Sequence, residues 1–465
     1  MASLLIKNSE LLASPQGKGK WLELKDAYLF TENEQIRFVG TAAEFQAWQK
    51  THKPHIDQSL DAKGCVVLPG FINGHHHLYQ SLTRTLGTAG GMALFDWLKF
   101  LYPIWGRLTS DAVYTSAKLA LTELVLSGCT TAADHLYIFP QDVRLEDEIA
   151  AAQEVGIRFH PTRGSMSLGE SQGGLPPDYL VEKEESILKD SVRLIEQFHD
   201  PEPFSMLRIG LAPCSPFSVT SNLMRESARL ARSYPLVNLH THLAETEDEN
   251  QFCLDSFSKR PLDYADSLDW TGEDVWFAHM VHPSDLEIKQ LAHSHSGVCH
   301  CPSSNMILAS GIAPVRQMLD AGVRVGLGVD GSASNDSNHF LAEVRQAMLL
   351  QRVGWPGFIS RADRFSAREA LELATLGGAK LLRRDDIGRL EPGIAADIIA
   401  FKIDDLAHAG ALSDPLASLV TCQPGQVFHS VINGKIVVKE GLFQAFDTSS
   451  LIKHHNRLSQ TLIRG

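Results

Sequence analysis

Side chains able to hold a metal ion stand at the ends of successive apolar runs. Val66-Val67-Leu68-Pro69-Gly70 leads into Asn73-Gly74-His75-His76-His77, and Val237-Asn238-Leu239 into His240-Thr241-His242-Leu243-Ala244-Glu245. Val275-Trp276-Phe277-Ala278 leads into His279, and the run from Val323 to Val329 into Asp330. Imidazoles with a carboxylate form a ligand set suited to Zn2+, and an ion so held can activate water. Positions two apart on an extended segment project to one side, so His75 and His77 can share an ion while His76 points away. His240 and His242 also share a face. On the run ending at Asp330, the even positions Gly326, Gly328 and Asp330 lie together. With Asp330 turned inward, those glycines leave room near the metal, and Val325, Leu327 and Val329 pack on helices.

Chemistry spread over several strand ends needs a scaffold that gathers those ends, and a (β/α)8 barrel does so at its C-terminal rim. Helical patterns over 111–127, 182–198, 222–231, 283–292 and 366–382 alternate with strand-like runs, which predicts βαβ units and a parallel sheet. The two chain ends read differently. Short alternating runs such as Leu4-Leu5-Ile6 and Ile36-Arg37-Phe38-Val39 fill the first segment. Asp397-Ile398-Ile399-Ala400-Phe401, then Val427 to Val431 and Ile436-Val437-Val438 around an Asn433-Gly434 hairpin turn, fill the last. The expected fold class is therefore α/β: a barrel over 67–386 with a small β-sandwich built from 1–66 and 387–443, and a C-terminal tail over 444–465. The stretch 164–177, rich in Ser, Gly and Pro, is expected to be a long loop and a candidate active-site lid.

Composition narrows the function classes. At 465 residues the chain holds a barrel plus a smaller module, and 44% hydrophobic residues suffice for a large core. A formal charge of -13 argues against a nucleic acid or an anionic membrane as partner. No signal-peptide pattern opens the sequence and no run of 18 apolar residues suggests a spanning helix. Seven cysteines, an odd number, read as reduced thiols of a cytoplasmic protein rather than a disulfide framework. Cys299-His300-Cys301 reads as a core strand end with incidental cysteines rather than a second metal site.

The segments 69–77, His242-Leu243-Ala244-Glu245-Thr246, Ala278-His279, Cys301-Pro302-Ser303-Ser304-Asn305, Gly328-Val329-Asp330-Gly331 and the late run 388–397 come in an order that resembles the amidohydrolase superfamily, in its chlorohydrolase/cytosine-deaminase-like branch. The resemblance runs from about Leu4 to Leu442. It implies a metal bound by His75, His77, His242 and Asp330, because the family's His-x-x-Glu spacing selects His242 and leaves His240 behind it. Binuclear members carry a carboxylated Lys at the end of strand four. The segment from Leu207 to Cys214 has none, so one divalent ion is expected, Zn2+, with Fe2+ able to use the same set. The implied chemistry has Asp330 take a proton from the attacking water and His279 hydrogen-bond to that water or to the tetrahedral centre. Glu245 carries protons without binding metal, as in other zinc deaminases.

Substrate contacts are expected from the segment after the first barrel strand. Trp97 and Tyr102 offer flat faces, Trp105 reads as packing, and Gln80 offers a donor and an acceptor for a heterocycle edge. Arg163 and Cys214-Ser215 lie at expected strand ends and are further candidates. The stretches 76–84, 102–105 and 127–131 are similar to bacterial 8-oxoguanine deaminases, which implies hydrolysis of 8-oxoguanine to urate and ammonia. The alternatives are a hydrolase of another aminated or chlorinated heterocycle (a hydroxytriazine, guanine, isocytosine or a purine nucleoside) and a scaffold without catalysis. Relatives imply a homo-oligomer.

Overall fold

The computed structural model describes residues 3–353 and 359–465. Eight parallel strands close into a barrel: β1 (Phe71–Asn73), β2 (Cys129–Leu136), β3 (Arg158–Ser165), β4 (Gly210–Pro213), β5 (Asn238–Leu243), β6 (Val275–His279), β7 (Gly297–His300) and β8 (Arg324–Leu327). Neighbours in the ring are neighbours in sequence, as in a (β/α)8 barrel. The register sets β5 and β6 side by side, with His242 opposite Ala278 and Leu243 opposite His279. Helices follow the strands and cover the outside. Several of them start at side-chain caps that satisfy free N–H groups, such as Thr109 before Ser110–Leu126, Thr220 before Ser221–Arg232 and Ser284 before Asp285–Ser294.

The segment read as a helix over 366–382 is interrupted. It runs as Ala367–Glu372, a π turn over Leu373–Gly377, then Gly378–Leu381. This turn drives the chain end into the barrel floor, where a Cβ on Gly378 would meet Ile72 at 2.7 Å. Leu381 fills the space left by Gly74, Gly297 and Gly326. Gly326 and Gly328 do face inward, but they leave no room near a metal. Leu381 lies against Gly326, and the Cys299 sulfur with the His75 main chain and Cβ lies against Gly328. These glycines are small because the barrel is packed, not because it is open.

Two further sheets flank the barrel. One has four strands from the first 61 residues; the other has seven, drawn from both chain ends. They share a core in which Leu4, Ile6, Leu29 and Ile36 meet Leu12, Val67, Ile398, Ala400 and Val431. Cys65–Pro69 pairs antiparallel with Ile398–Lys402 in the seven-stranded sheet. The Val66–Pro69 run therefore belongs to the sandwich, not to the barrel strand that follows. The chain turns at Gly70, where a Cβ would overlap Thr130. Below the barrel, Arg158 of β3 is fully buried and bonds both oxygens of Asp397 at 3.1 Å, tying the barrel to the sandwich.

The last residues are not a loose tail. Thr448–Arg464 is a helix that packs on Ser110–Leu126 and on the 3-10 turn Leu78–Thr83. Ser459 donates to the Leu82 carbonyl at 2.6 Å, and His455 Nε2 lies 2.9 Å from the Ser81 hydroxyl. All seven cysteines are free. Among the described residues no helix is long and apolar enough to cross a membrane.

Candidate active site

The side chains singled out at strand ends converge at the C-terminal mouth of the barrel. His75 and His77 follow β1, His242 lies near the end of β5, His279 ends β6, and Asp330 follows β8. All are buried.

Hydrogen bonds set the tautomer of each ligand candidate. His77 Nδ1 donates to the His135 carbonyl at 2.7 Å, and His242 Nδ1 to the Cys214 carbonyl at 2.7 Å. His240 Nδ1 donates to the Trp276 carbonyl at 2.9 Å, so neutral His240 presents Nε2 as an acceptor to His75 Nδ1, 2.8 Å away. All three ligand candidates thus turn a bare Nε2 inward. Burial keeps these rings uncharged: it pushes His77 down to about 3, holds His75 below its ordinary value, and holds His242 well below.

Those lone pairs crowd one another. The Nε2 atoms of His77 and His242 are 3.0 Å apart, and Asp330 Oδ1 lies 3.3 Å from His75 Nε2 and 3.5 Å from His77 Nε2. Four ligands at zinc-ligand distances around a tetrahedron sit roughly 3.3–3.6 Å from one another. The buried His75 Nε2 has no hydrogen-bond partner. Facing lone pairs and an orphaned nitrogen fit a cation, and the residues present can hold one. His76 is not part of this set, since its Nε2 faces Asn338 Oδ1 at 3.1 Å.

The acidic groups are tuned differently. Ser304 donates to Asp330 Oδ2 at 2.6 Å, and the Gly331 N–H to Oδ1 at 2.7 Å. Burial alone would raise Asp330, but the imidazoles of His75, His279 and His77 that face it outweigh burial and hold its carboxyl well below the usual carboxylate range. Glu245 lacks such support, and burial raises it to about 7. His279 Nδ1 donates to Asn305 Oδ1 at 2.8 Å, and its Nε2 faces Glu245 Oε2 at 3.5 Å and Asp330 Oδ2 at 3.8 Å. Burial opposes charge on His279, yet those carboxylates and the Asn305 bond outweigh it and raise its pKa. An imidazole biased toward its charged form, a carboxyl poised near neutrality and a carboxylate held in its ionised form therefore surround one point, an arrangement that can move protons.

A cleft opens above this cluster, with about 410 Å3 of space between atoms including its mouth. His77, His242, Glu245, His279 and Asp330 form its floor; Leu94, Trp97, Leu98, Tyr102, Phe217 and Leu308 form apolar walls. Gln80, Trp97, Tyr102 and Cys214 all line it. Gln80 Oε1 and the Tyr102 hydroxyl are buried without a partner. Burial pushes the Cys214 thiol up to about 12, so it is a neutral wall atom.

Arg163 does not reach this cleft. Its guanidinium bonds Asp190 at 2.7 Å and Glu182 at 2.8 Å and lies 3.8 Å over the Phe139 ring. It sits on the face of β3 turned to the helix Glu184–Phe198, because side chains alternate along a strand. The loop from Met166 to Pro177 also supplies no lining residue. It is pinned by main-chain bonds from Ser167 and Leu175 to Ser218 and Phe217, so it backs the Phe217 wall instead of covering the site.

Sequence reasoning passed over several residues here. Tyr137 and Ser334 line the cleft. His135 brings a ring nitrogen within 4.8 Å of His75, His77 and His242 and stacks on His242. Its place at the end of an apolar strand was the available signal. Ser304 and Asn305 stood inside a recognised motif whose bonds to Asp330 and His279 only the fold reveals. Three rim residues at or just past strand ends are left-handed and not glycine: Ala244 at φ 51°, His279 at 72° and Asp330 at 64°. Each carries strain of about 1–3 kcal/mol, as is common where geometry serves chemistry.

Comparison with known proteins agrees with this geometry. Residues 66–437 match the Amidohydrolase family. The chain is 47% identical to an 8-oxoguanine deaminase of Pseudomonas aeruginosa over 90% of its own length and 92% of that protein's. It is 36% identical to a hydroxydechloroatrazine ethylaminohydrolase of Pseudomonas sp. strain ADP, over 87% and 85% of the two chains. A crystal structure of an atrazine chlorohydrolase from Arthrobacter aurescens complexed with zinc superposes with a TM-score of 0.91 at 32% identity, covering 98% of this chain and 100% of that one. A shared barrel, a match across most of the chain and a buried histidine–aspartate cluster together place the protein in the amidohydrolase family.

Proposed function

We propose that this protein hydrolyses the exocyclic amine of 8-oxoguanine, giving urate and ammonia. The observation that carries the reading is the pairing of a protonatable Glu245 with unpartnered Gln80 Oε1 and Tyr102 hydroxyl across one narrow, aromatic-walled cleft. The 47% identity to an 8-oxoguanine deaminase supports that substrate.

His75, His77, His242 and Asp330 would hold one divalent ion, Zn2+ in preference to Fe2+. A zinc ion there supplies Lewis acidity and brings the pKa of water to about 7. The protein's own groups do the rest. Asp330, kept ionised, takes the proton from the water as it attacks the amine-bearing carbon. Glu245, poised near neutrality, gives its proton to the adjacent ring nitrogen, then takes the hydroxyl proton of the tetrahedral centre and passes it to the departing amine. The proton held by Asp330 restores Glu245 for the next turnover. His279 is held in one orientation by Asn305 and donates from Nε2 toward the developing negative charge. Trp97 and Tyr102 flank the ring, and Gln80 accepts from an edge N–H.

The runner-up is hydrolysis of a hydroxytriazine or another aminated heterocycle, supported by the 36% identity to the ethylaminohydrolase. A side-by-side measurement of ammonia release from 8-oxoguanine, guanine, isocytosine, a hydroxytriazine and a purine nucleoside decides between them. A kcat/KM for 8-oxoguanine below that for any other substrate in the panel would overturn the assignment.

A further inference from the structure

We propose that Glu249 is a positioning residue for Glu245, clamping the main chain that carries it; this rests on the reading of Glu245 as proton carrier. Glu249 is fully buried in the first turn of the helix Glu247–Phe257. Its two oxygens accept from consecutive main-chain amides: Oε1 from Ala244 N and Oε2 from Glu245 N, both at 2.9 Å. It does not line the cleft, and among the described residues it forms no ion pair.

This geometry departs from an ordinary helix start, and the same molecule supplies the comparison. In a capping box the glutamate three residues into the helix bonds the N–H of the capping residue itself. Glu287 does so to Ser284 at 2.7 Å, and Glu369 to Ser366 at 2.8 Å. Glu249 stands at the equivalent place after Thr246, whose hydroxyl accepts from the Glu249 N–H. Its carboxylate nevertheless reaches past Thr246 to the two residues before it. Ala244 there is left-handed, at φ 51°, a conformation that an L-residue keeps only when its surroundings impose it. A carboxylate without a cation is costly to bury, so one spent on two adjacent amides at a strained turn is explained by what that turn presents. The turn presents Glu245, whose Oε2 stands 3.5 Å from His279.

Glu249→Gln keeps the shape but aims an amide donor at one of the two N–H groups. Zinc-loaded enzyme carrying it is expected to retain one metal per chain and a KM within about threefold of the parent, while kcat falls at least ~10-fold. Amide hydrogen exchange at Ala244 and Glu245 should quicken at least ~10-fold. Glu369→Gln, which breaks an ordinary capping box, is the control and should lower Tm while leaving kcat unchanged. If Glu249 acts through Glu245, Glu245→Gln/Glu249→Gln will turn over no more slowly than Glu245→Gln alone. Unchanged kcat, loss of metal, or multiplying effects in the double variant would each overturn the proposal. Should Glu249→Gln fold poorly, Glu249→Asp, shorter by one methylene, puts the same kcat and exchange tests. A fully active Glu245→Gln would instead sink the proton-carrier reading, and the exchange rates at Ala244 and Glu245 would then decide the clamp by themselves.

Discussion

Gln80 occupies the space in which a side chain on Gly331 would begin: a β-carbon there would overlap Gln80 Oε1 and Cδ. The residue next to Asp330 is thus held to glycine by a cleft-lining amide from the turn after β1, the strand that neighbours β8 in the barrel. Gly331→Ala should swing Gln80 aside without removing a metal ligand. KM is expected to rise about tenfold, the scale of one lost hydrogen bond of about 1.5 kcal/mol, with metal content unchanged. Steady-state kinetics with metal analysis checks this, and an unaltered KM would remove Gln80 from the substrate contacts.

The inward Nε2 atoms make a clear distinction between neighbouring histidines. His242→Ala should lose the metal, whereas His76→Ala, whose ring faces Asn338, should keep one ion per chain. Plasma-emission metal analysis of both variants reads this out. Two tightly bound ions in the parent protein would refute a single-ion site.

Glu245 carries a pH signature. With its carboxyl raised to about 7, the proton-donating form dominates below neutrality and is depleted as pH rises through that value. kcat/KM should therefore decline on the alkaline side of about pH 7. Glu245→Gln, which cannot titrate, should keep metal and KM, lose at least ~10²-fold in kcat, and show no such limb in its residual rate. A parent profile flat from about pH 6 to 9 would assign the proton to another group.

The C-terminal helix should matter to substrate binding because it grips the turn that bears Gln80. Ending the chain at residue 447 removes the bonds from His455 and Ser459 to Ser81 and Leu82. The expected result is a KM raised about tenfold with metal retained, and a Tm lowered by a few degrees, on the scale of about 1–2 kcal/mol in a chain this large. If only Tm falls, the helix is a cover and not a support.

Much of the site was legible before the fold. The period of two along extended chain placed His75 with His77 and set His76 apart, and the tautomer network agrees. Position at a strand end misplaced Arg163, because a strand end has two faces and local pattern does not say which one turns inward. Gly326 reads as room at the metal for a related reason, since nothing near residue 326 announces a side chain arriving from residue 381.

The sequence by itself determined the scaffold and the donor types: apolar runs bury as barrel strands, and strand ends with imidazoles and carboxylates meet at the rim. These are local properties, carried by side-chain periodicity and composition. Only the tertiary structure decided how the donors are tuned. His75 is oriented by His240 and His77 by the His135 carbonyl, Asp330 is bonded by Ser304, and the Glu245 turn is clamped by Glu249. Most of these contacts cross between strands far apart in the chain. Directions of hydrogen bonds and degrees of desolvation exist only once the barrel has closed, and they hold one carboxyl ionised and leave another poised near neutrality.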